Sequence, residues 1–256
     1  MRILDSNEYI NEKLGIKPVT KDRLSKFREE EPSVDEKARR FIEKSNLVWN
    51  PKTMSYDCEG NVKVSEDIVI NGKLKIRFGK VDGNFYCRDN NLTTLEGAPK
   101  EVGGGFYCSS NNLTSLEGAP KIVNGDFICY HNKLTTLEGA PQKVDGDFNC
   151  SNNNLTTLEG APKEVSEYFY CSSNNLTTLE GAPQEVGCSF NCSDNNLTTL
   201  EGAPNMVGGS FYCSNNKLTS LEGAPQKVDG NFYCRNNPNL VLPEDKPSWV
   251  KGEIHN

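Results

Sequence analysis

The sequence repeats itself every 21 residues from Val81 onward, with almost no insertions. The unit reads V-x-G-x-F-x-C-x-x-N-x-L-T-x-L-E-G-A-P-x-x, and residues 81–237 contain eight copies of it. A fixed period of about 20 to 50 residues is typical of repeat architectures, in which each unit buries its apolar faces only against its neighbours. The repeat therefore predicts stacked coils, with equivalent residues lined up in columns.

Alternation within one repeat predicts a short strand with an apolar inner side. Phe85 and Cys87 fall on one side of that strand, and Tyr86 and Arg88 fall on the other. One strand per coil gives a parallel sheet of about eight strands. A column of asparagines then marks a turn, where the side-chain amide can satisfy backbone groups of neighbouring coils. This asparagine column consists of Asn90, Asn111, Asn132, Asn153, Asn174, Asn195, Asn216 and Asn237. Two leucine columns follow, beginning at Leu92 and Leu95, and they are predicted to point inward.

The return side of each coil carries a Gly-Ala-Pro triplet, first at residues 97–99. Proline lacks a backbone N–H donor and disfavours helical conformation in the residue before it. The return side is therefore expected to be extended or polyproline-like and not helical.

The spacing F-x-C-x-x-N-x-L-x-x-L resembles the leucine-rich-repeat signature, with Phe and Cys in the first two apolar positions. The short period and the proline-bearing return segment are most similar to bacterial leucine-rich repeats. The segments FYCS, NNLTTLEGAP and EVGG also resemble those of tandem-repeat proteins of bacteriophage and bacterial genomes. The resemblance implies a β-rich solenoid, coiled in a right-handed sense, with a concave parallel sheet.

The rest of the chain is divided around this array. Because each coil is covered only by its neighbours, both ends need caps. Residues 51–80 alternate apolar and polar side chains and are predicted to form an N-terminal cap of degenerate strands. Residues 238–256 are predicted to form the C-terminal cap, in which Trp249 and Val250 cover the last apolar layer.

Residues 1–50 are predicted to form a helical N-terminal segment. Short helices are expected over 6–14 and from 20 to about 28. The pattern Ser33-Val34-Asp35-Glu36 resembles a capping box that opens a third helix, through about Lys44. Its apolar side would be Ala38, Phe41 and Ile42.

The cysteines follow the repeat, since eight of the ten recur every 21 residues. In-register strands lie about 4.8 Å apart with parallel Cβ vectors, whereas the Cβ atoms of a disulfide are about 3.8 Å apart. A column of buried free thiols is therefore favoured over disulfides or metal binding, and it favours a reducing compartment.

Charge and hydropathy narrow the partners and the location. The net charge is −7, and residues 51–256 carry 17 basic against 25 acidic side chains. Such a surface is a poor match for nucleic acid or anionic membrane. We find no apolar run that could cross a bilayer and no standard export signal. We expect a cytoplasmic protein, in the host cytoplasm if phage-encoded, or a component of the virion.

The inventory of reactive groups argues against catalysis. The chain has two histidines, His131 and His255, and the periodic cysteines fall in a core-facing position without an evident His or Asp partner. No phosphate-binding glycine loop is present, so we expect no enzyme activity, cofactor or metal. A column of glutamates beginning at Glu96 is interpreted as a solvated edge neutralised in part by lysines, with a cation-binding or docking strip as the alternative. The lysines in question are Lys100, Lys121, Lys143, Lys163 and Lys227.

The outward strand positions are the candidate site. We call them the Tyr/Ser face, and they form two adjacent columns. The first is Tyr86, Tyr107, Ile128, Asn149, Tyr170, Asn191, Tyr212 and Tyr233, and the second is Arg88, Ser109, Tyr130, Ser151, Ser172, Ser193, Ser214 and Arg235. Tyrosine gives large contact area at low entropic cost, and serine gives adaptable hydrogen bonds. The alternative is that the tyrosines only pack across strands on an idle face.

The departures from the repeat suggest where a partner contacts this face. The repeat differs most from its neighbours at Ile128, Tyr130 and His131, close to Tyr107. The predicted partner-binding residues are Tyr86, Tyr107, Ile128, Tyr130, His131, Tyr170, Tyr212, Tyr233, Arg88 and Arg235. Our leading hypothesis is a protein–protein interaction scaffold that uses this face. The alternatives are a structural or virion-associated component that assembles through the array or the N-terminal helices, and a carbohydrate-binding module.

Overall fold

The computed structural model describes residues 31–256, which form a parallel β-solenoid preceded by a short helix. Helix α1 (Glu36–Lys44) buries Ala38, Phe41 and Ile42, as predicted. The Phe41 ring meets the Phe78 ring edge-on, with 6.5 Å between centroids. The two helices predicted within residues 1–30 lie outside the described residues.

Helix α1 begins later than the Ser33 capping pattern suggested, because Asp35 is the N-cap residue. Its carboxylate accepts a hydrogen bond from the Ala38 backbone N–H at 2.9 Å. Its second oxygen accepts one from Lys75 Nζ, also at 2.9 Å. Asp35 therefore satisfies one orphan donor of the helix and ties α1 to the cap of the solenoid.

The strands are short throughout. The first six are β1 (Val48–Asn50), β2 (Ser55–Cys58), β3 (Val62–Lys63), β4 (Val69–Ile70), β5 (Lys73–Leu74) and β6 (Phe78–Val81). The array follows with β7 (Phe85–Tyr86), β8 (Glu101–Val102), β9 (Phe106–Tyr107), β10 (Ile122–Val123), β11 (Phe127–Ile128), β12 (Lys143–Val144), β13 (Phe148–Asn149), β14 (Glu164–Val165), β15 (Phe169–Tyr170), β16 (Glu185–Val186), β17 (Phe190–Asn191), β18 (Met206–Val207), β19 (Phe211–Tyr212), β20 (Lys227–Val228), β21 (Phe232–Tyr233) and β22 (Ile254–His255). We number the coils 1 to 8 from Val81 to Val228.

The predicted parallel sheet is present and runs the length of the array. It has ten strands in the order β22-β21-β19-β17-β15-β13-β11-β9-β7-β3, because each cap adds one strand to the eight of the coils. Neighbours pair in register, so that Phe85 lies opposite Phe106 and Tyr86 opposite Tyr107. We call this the long sheet.

The return side is extended, as predicted, and it also forms parallel strands of its own, which we did not predict. Strands β6, β8 and β10 belong to one such sheet, and β12, β14, β16, β18 and β20 form another. Each array strand of these sheets ends in a valine that is at most 3% exposed, from Val81 to Val228. Burial of this column draws the return segments into hydrogen-bonding register, for example Gly103 N to Val81 O at 2.8 Å.

The core is a set of columns that run along the solenoid axis. The Phe rings of coils 1 to 8 stack with 5.2 to 5.6 Å between centroids. Leu92, Leu95 and Cys87 are fully buried, as are their counterparts in most coils. All ten cysteines are free, and the eight periodic ones are buried, which confirms the predicted thiol column.

The ends of the solenoid are covered by non-repeating structure. Strands β1 and β2 pair antiparallel, and β2 joins β6 in parallel. At the other end, the Trp249 ring lies edge-on to Phe232 at 5.3 Å, and Val250 is buried. Within residues 31–256, no helix combines the length and the apolar character needed to span a bilayer.

Candidate interaction face

The structure places the Tyr/Ser face on the outer side of the long sheet. The predicted residues of its first column, from Tyr86 to Tyr233, are all half-buried. In the second column, Arg88 and Arg235 are exposed and Tyr130 is half-buried. The long sheet thus brings all ten predicted residues except His131 onto its two outward columns, and His131 lies at the adjoining turn.

A third outward column borders the first, and our sequence reading missed it. It contains Asn84, Gly105, Asp126, Asp147, Tyr168, Ser189, Ser210 and Asn231. These residues stand two positions before the first column, so the period-2 alternation that identified Tyr86 could have identified them too. Apart from Gly105 and Tyr168, their side chains accept a hydrogen bond from a backbone N–H of the next coil or of the cap, as Asp147 Oδ1 does from Tyr168 N at 3.0 Å.

Tyrosine rings of the first column stack at its two ends. Tyr86 stacks on Tyr107 with 4.8 Å between centroids. Tyr212 stacks on Tyr233 at 4.6 Å, and Tyr233 stacks on His255 of the C-terminal cap at 4.5 Å. The cross-strand packing that we considered as an alternative is therefore real, but it leaves the rings half-exposed.

The centre of the face is acidic. Asp126 Oδ1 accepts a hydrogen bond from Asp147 N at 3.1 Å, and Asp126 Oδ2 accepts one from the Tyr107 hydroxyl at 3.1 Å. Burial raises the pKa of the Asp147 carboxyl, and the neighbouring Asp126 adds to the rise. Burial and Asp126 also raise the pKa of Tyr107 to about 12. Within residues 31–256, neither aspartate forms an ion pair within 4.0 Å.

The backbone conformation at His131 favours some residue types over others. Its φ is 52°, in the left-handed region, and it packs edge-on against Tyr130 with 5.2 Å between centroids. The same column is left-handed in every coil, and its members are Asp89, Ser110, His131, Asn152, Ser173, Asp194, Asn215 and Asn236. Asn, Asp and His are enriched in that conformation. The backbone therefore accounts for the residue type at six of these eight positions, including His131, and the other two are Ser110 and Ser173.

The asparagine column holds the face in place from beneath, as predicted. Asn132 Oδ1 accepts a hydrogen bond from Leu113 N at 3.0 Å. Its Nδ2 donates to Cys108 O at 3.0 Å and to Cys129 O at 3.1 Å. Each such amide forms hydrogen bonds with two neighbouring coils. Because these bonds hold the strands in place, the strands that carry the outward columns lose little freedom when a partner binds.

The glutamate column is exposed, but the lysines do not neutralise it as we expected. In the described part of the chain, Lys73 is the cation that pairs with this column, at 3.2 Å from Glu96. Lys143 and Lys227 pair instead with Asp145 and Asp229. Each of these aspartates follows its lysine by two residues, so it is closer to that lysine along the chain than the glutamate of the return turn.

Other features of the surface offer less. Within the described residues, no group of three or more His, Cys, Asp and Glu side chains could hold a metal ion. An open groove of about 670 Å³ lies on the outer side of the return strands, lined by Glu164, Glu185 and Met206 among others. Among the described residues that line it there is no aromatic side chain, unlike on the Tyr/Ser face.

Comparison of the chain with profiles of known protein families, with curated proteins and with solved structures gives no significant match. The function must therefore be argued from the geometry of the Tyr/Ser face.

Proposed function

We propose that the chain is a non-enzymatic interaction scaffold that binds a protein partner through the Tyr/Ser face. The observation that supports this best is the set of half-exposed tyrosine rings, which stack in register on a frame of buried asparagine amides. Tyrosine is enriched among the residues that dominate binding energy. A face whose side chains are already ordered pays less entropy when it binds.

The proposal includes the type of repeat and the place where it acts. We infer a leucine-rich repeat of the bacterial and bacteriophage kind, working in the cytoplasm. The buried asparagine that bridges coils and the two leucine columns, fully buried in most coils, support the repeat type. The free cysteines support a reducing compartment.

The test replaces tyrosines with a residue that the same column already contains. Asn149 and Asn191 occupy first-column positions, and each accepts a hydrogen bond at Oδ1 from the serine N–H two residues later, at 3.0 Å. A Tyr107→Asn, Tyr212→Asn double variant should therefore keep its fold, with an unfolding midpoint lowered only by the loss of the two ring stacks and of the Tyr107 hydrogen bond to Asp126. We expect it to lose capture of the partner at least tenfold in quantitative affinity purification from host cells followed by mass spectrometry.

The matched control alters a different side of the same solenoid. Thr156→Asn and Thr198→Asn change exposed side chains outside the three outward columns. This double variant should capture the partner as the unaltered chain does. Equal capture by the tyrosine variant would exclude the Tyr/Ser face as the contact surface.

A second candidate function is assembly into a larger particle or fibre. Strand β22 pairs with β21 alone among the described residues, so its outer backbone edge can accept another strand. Light scattering on the purified chain separates the two functions. A monomer at all concentrations, together with absence from purified virions, would eliminate assembly.

A further inference from the structure

The first and last coils of the array carry the same nine residues. Residues 80–88 and 227–235 both read K-V-D-G-N-F-Y-C-R. No coil between them combines Asn, Tyr and Arg at the three outward positions. The two blocks are seven coils apart, which corresponds to about 34 Å at a spacing of about 4.8 Å per strand.

The two blocks also have the same hydrogen-bond geometry. At the first, Asn84 Oδ1 accepts from Gly105 N at 2.7 Å, and Asn84 Nδ2 donates to the Tyr86 hydroxyl oxygen at 3.0 Å. At the second, Asn231 Oδ1 accepts from Glu253 N at 2.9 Å, and Asn231 Nδ2 donates to the Tyr233 hydroxyl oxygen at 3.0 Å. The backbone bond fixes which end of each amide faces the tyrosine. Each phenol therefore receives a hydrogen bond and keeps its own O–H to donate outward.

This arrangement differs from that of Tyr107 in coil 2. The Tyr107 hydroxyl donates its hydrogen bond to Asp126, within the chain. At the two ends, by contrast, each phenol lies toward its asparagine partner and its O–H has no acceptor among the described residues, while an exposed arginine, Arg88 or Arg235, stands two residues later on the second column. The nearest acid to Arg88 is Asp89, with 4.0 Å between Nε and Oδ2. Each end thus offers hydrogen-bond donors and a largely unused positive charge, which together suit carboxylates.

The centre of the face repels the same ligand. Asp126 and Asp147 place two carboxylates between the arginine-bearing ends. A continuous acidic segment would meet them, whereas two separate acidic segments would not. The charge order along coils 1 to 8 is therefore positive, negative, positive, and the cap beyond coil 8 adds the exposed carboxylate of Glu253, 3.8 Å from His255 Nε2.

We propose that coils 1 and 8 form two similar docking sites, and that the protein partner presents two short acidic peptide segments about 34 Å apart. This inference rests on the proposed function, because it names the chemistry that the Tyr/Ser face recognises. The two sites are related by translation along the solenoid. Occupation of one raises the effective concentration of the second segment at the other, so weak single contacts combine into tighter binding.

The experiment uses a molecular ruler as the probe. A polyproline helix advances about 3.1 Å per residue, so a spacer of about 11 prolines spans the two sites. Peptides would carry triglutamate at both ends of spacers of about 5, 8, 11 and 14 prolines, with one-ended peptides as the reference. We expect the two-ended peptide of about 11 prolines to bind at least tenfold more tightly than its one-ended form in fluorescence titration at low salt.

Deleting coils tests the spacing without touching either site. Removal of residues 151–192 takes out two whole repeats and joins Cys150 to Ser193, which keeps every column in register. The sites then lie about 10 Å closer, and the preferred spacer should shorten to about 8 prolines. Far-ultraviolet circular dichroism and a single cooperative melt would establish that the shortened array is folded.

Single substitutions complete the test. Arg88→Ala and Arg235→Ala should each reduce the two-ended peptide to the affinity of the one-ended peptide, while Arg77→Ala, an exposed arginine outside the outward columns, should have no effect. The two-site inference would be overturned if none of the two-ended peptides bound, or if the preferred spacer length stayed the same after the coil deletion. The proposed function is tested separately. It would still stand if the Tyr107→Asn, Tyr212→Asn variant lost capture of the native partner in the same preparation. It would fail together with the two-site inference only if this variant captured the native partner as the unaltered chain does.

Discussion

Each buried asparagine stabilises the fold, although it is polar, because its side-chain amide makes several hydrogen bonds between coils. Asn153 accepts a hydrogen bond from Leu134 N at 3.0 Å. Its Nδ2 donates to Cys129 O at 3.2 Å and to Cys150 O at 3.0 Å. The amide is about 7% exposed, so water cannot replace these bonds when the side chain is lost.

Asn153→Leu should therefore lower the free energy of unfolding by about 3 kcal/mol or more, because buried backbone groups left without partners cost about 1–3 kcal/mol each. Urea denaturation measures this. The control is Asn154→Lys, since Lys133 and Lys217 already occupy that column. A loss in the control as large as in Asn153→Leu would mean that the ladder does not carry the effect.

His131 allows the backbone explanation of its column to be tested directly. A β-branched residue in the left-handed region is strained by about 1–2 kcal/mol, so His131→Val should destabilise the chain by about that amount. His131→Asn should leave the urea midpoint unchanged, because asparagine holds the same position in three other coils at φ values from 55° to 57°. Equal midpoints for the valine and asparagine variants would refute the conformational argument.

At the scale of structural elements, the turn that closes each coil sets how closely coils stack. The glycine of the Gly-Ala-Pro triplet has φ between 79° and 96° in all seven copies. At Gly160, a Cβ atom would lie 2.7 Å from Glu138 N and 2.8 Å from Leu137 C, which are both backbone atoms of the previous coil. Glycine is needed here both for its conformation and for the approach of two backbones.

Gly160→Ala should cost more than about 2 kcal/mol of unfolding free energy, since it adds left-handed strain to a contact that only backbone movement can relieve. The matched control is Gly60→Ala, because nothing lies within 4 Å of a Cβ built there. Chemical denaturation of both variants decides the point. Similar stability in the two would show that the coils can separate without cost.

At the scale of the whole molecule, we expect sensitivity to alkali, because the thiols form a continuous buried column. Burial raises the pKa of all eight periodic cysteines, from Cys87 to Cys234. Unfolded thiols ionise near pH 8.5, whereas the folded chain keeps its thiols protonated. The stability from this column is therefore fully present below about pH 8.5 and is lost as the pH rises above it.

Each thiol whose pKa burial raises far above its usual range, from Cys87 to Cys213, should remove about 1.4 kcal/mol of stability per pH unit above about pH 9, and together these thiols should unfold the chain within about one pH unit. Urea midpoints measured from pH 7 to 9.5 in reducing buffer test this. Cys150→Ala should reduce the steepness of the decline by the share of one thiol. A midpoint that stays constant to pH 9.5 would contradict the prediction.

The sequence by itself determined the solenoid, its register and the contents of its core. Phe85, Cys87 and Leu92 could be assigned inward positions because a 21-residue period places identical side chains in one column, and alternation then decides which columns face inward. The bridging role of the asparagines followed from the same columns, since a buried amide beside a strand end must bond to the coils around it.

Only the tertiary structure decided features that depend on contacts between coils. The return strands, each two residues long in the array, have no local pattern, because their hydrogen bonds come entirely from the coils above and below. The left-handed backbone at His131 and the amide orientation of Asn84, which leaves the Tyr86 O–H free, arise when a coil closes against its neighbour. A periodic sequence states which residues align, but the geometry of closure determines what each aligned residue can still bind.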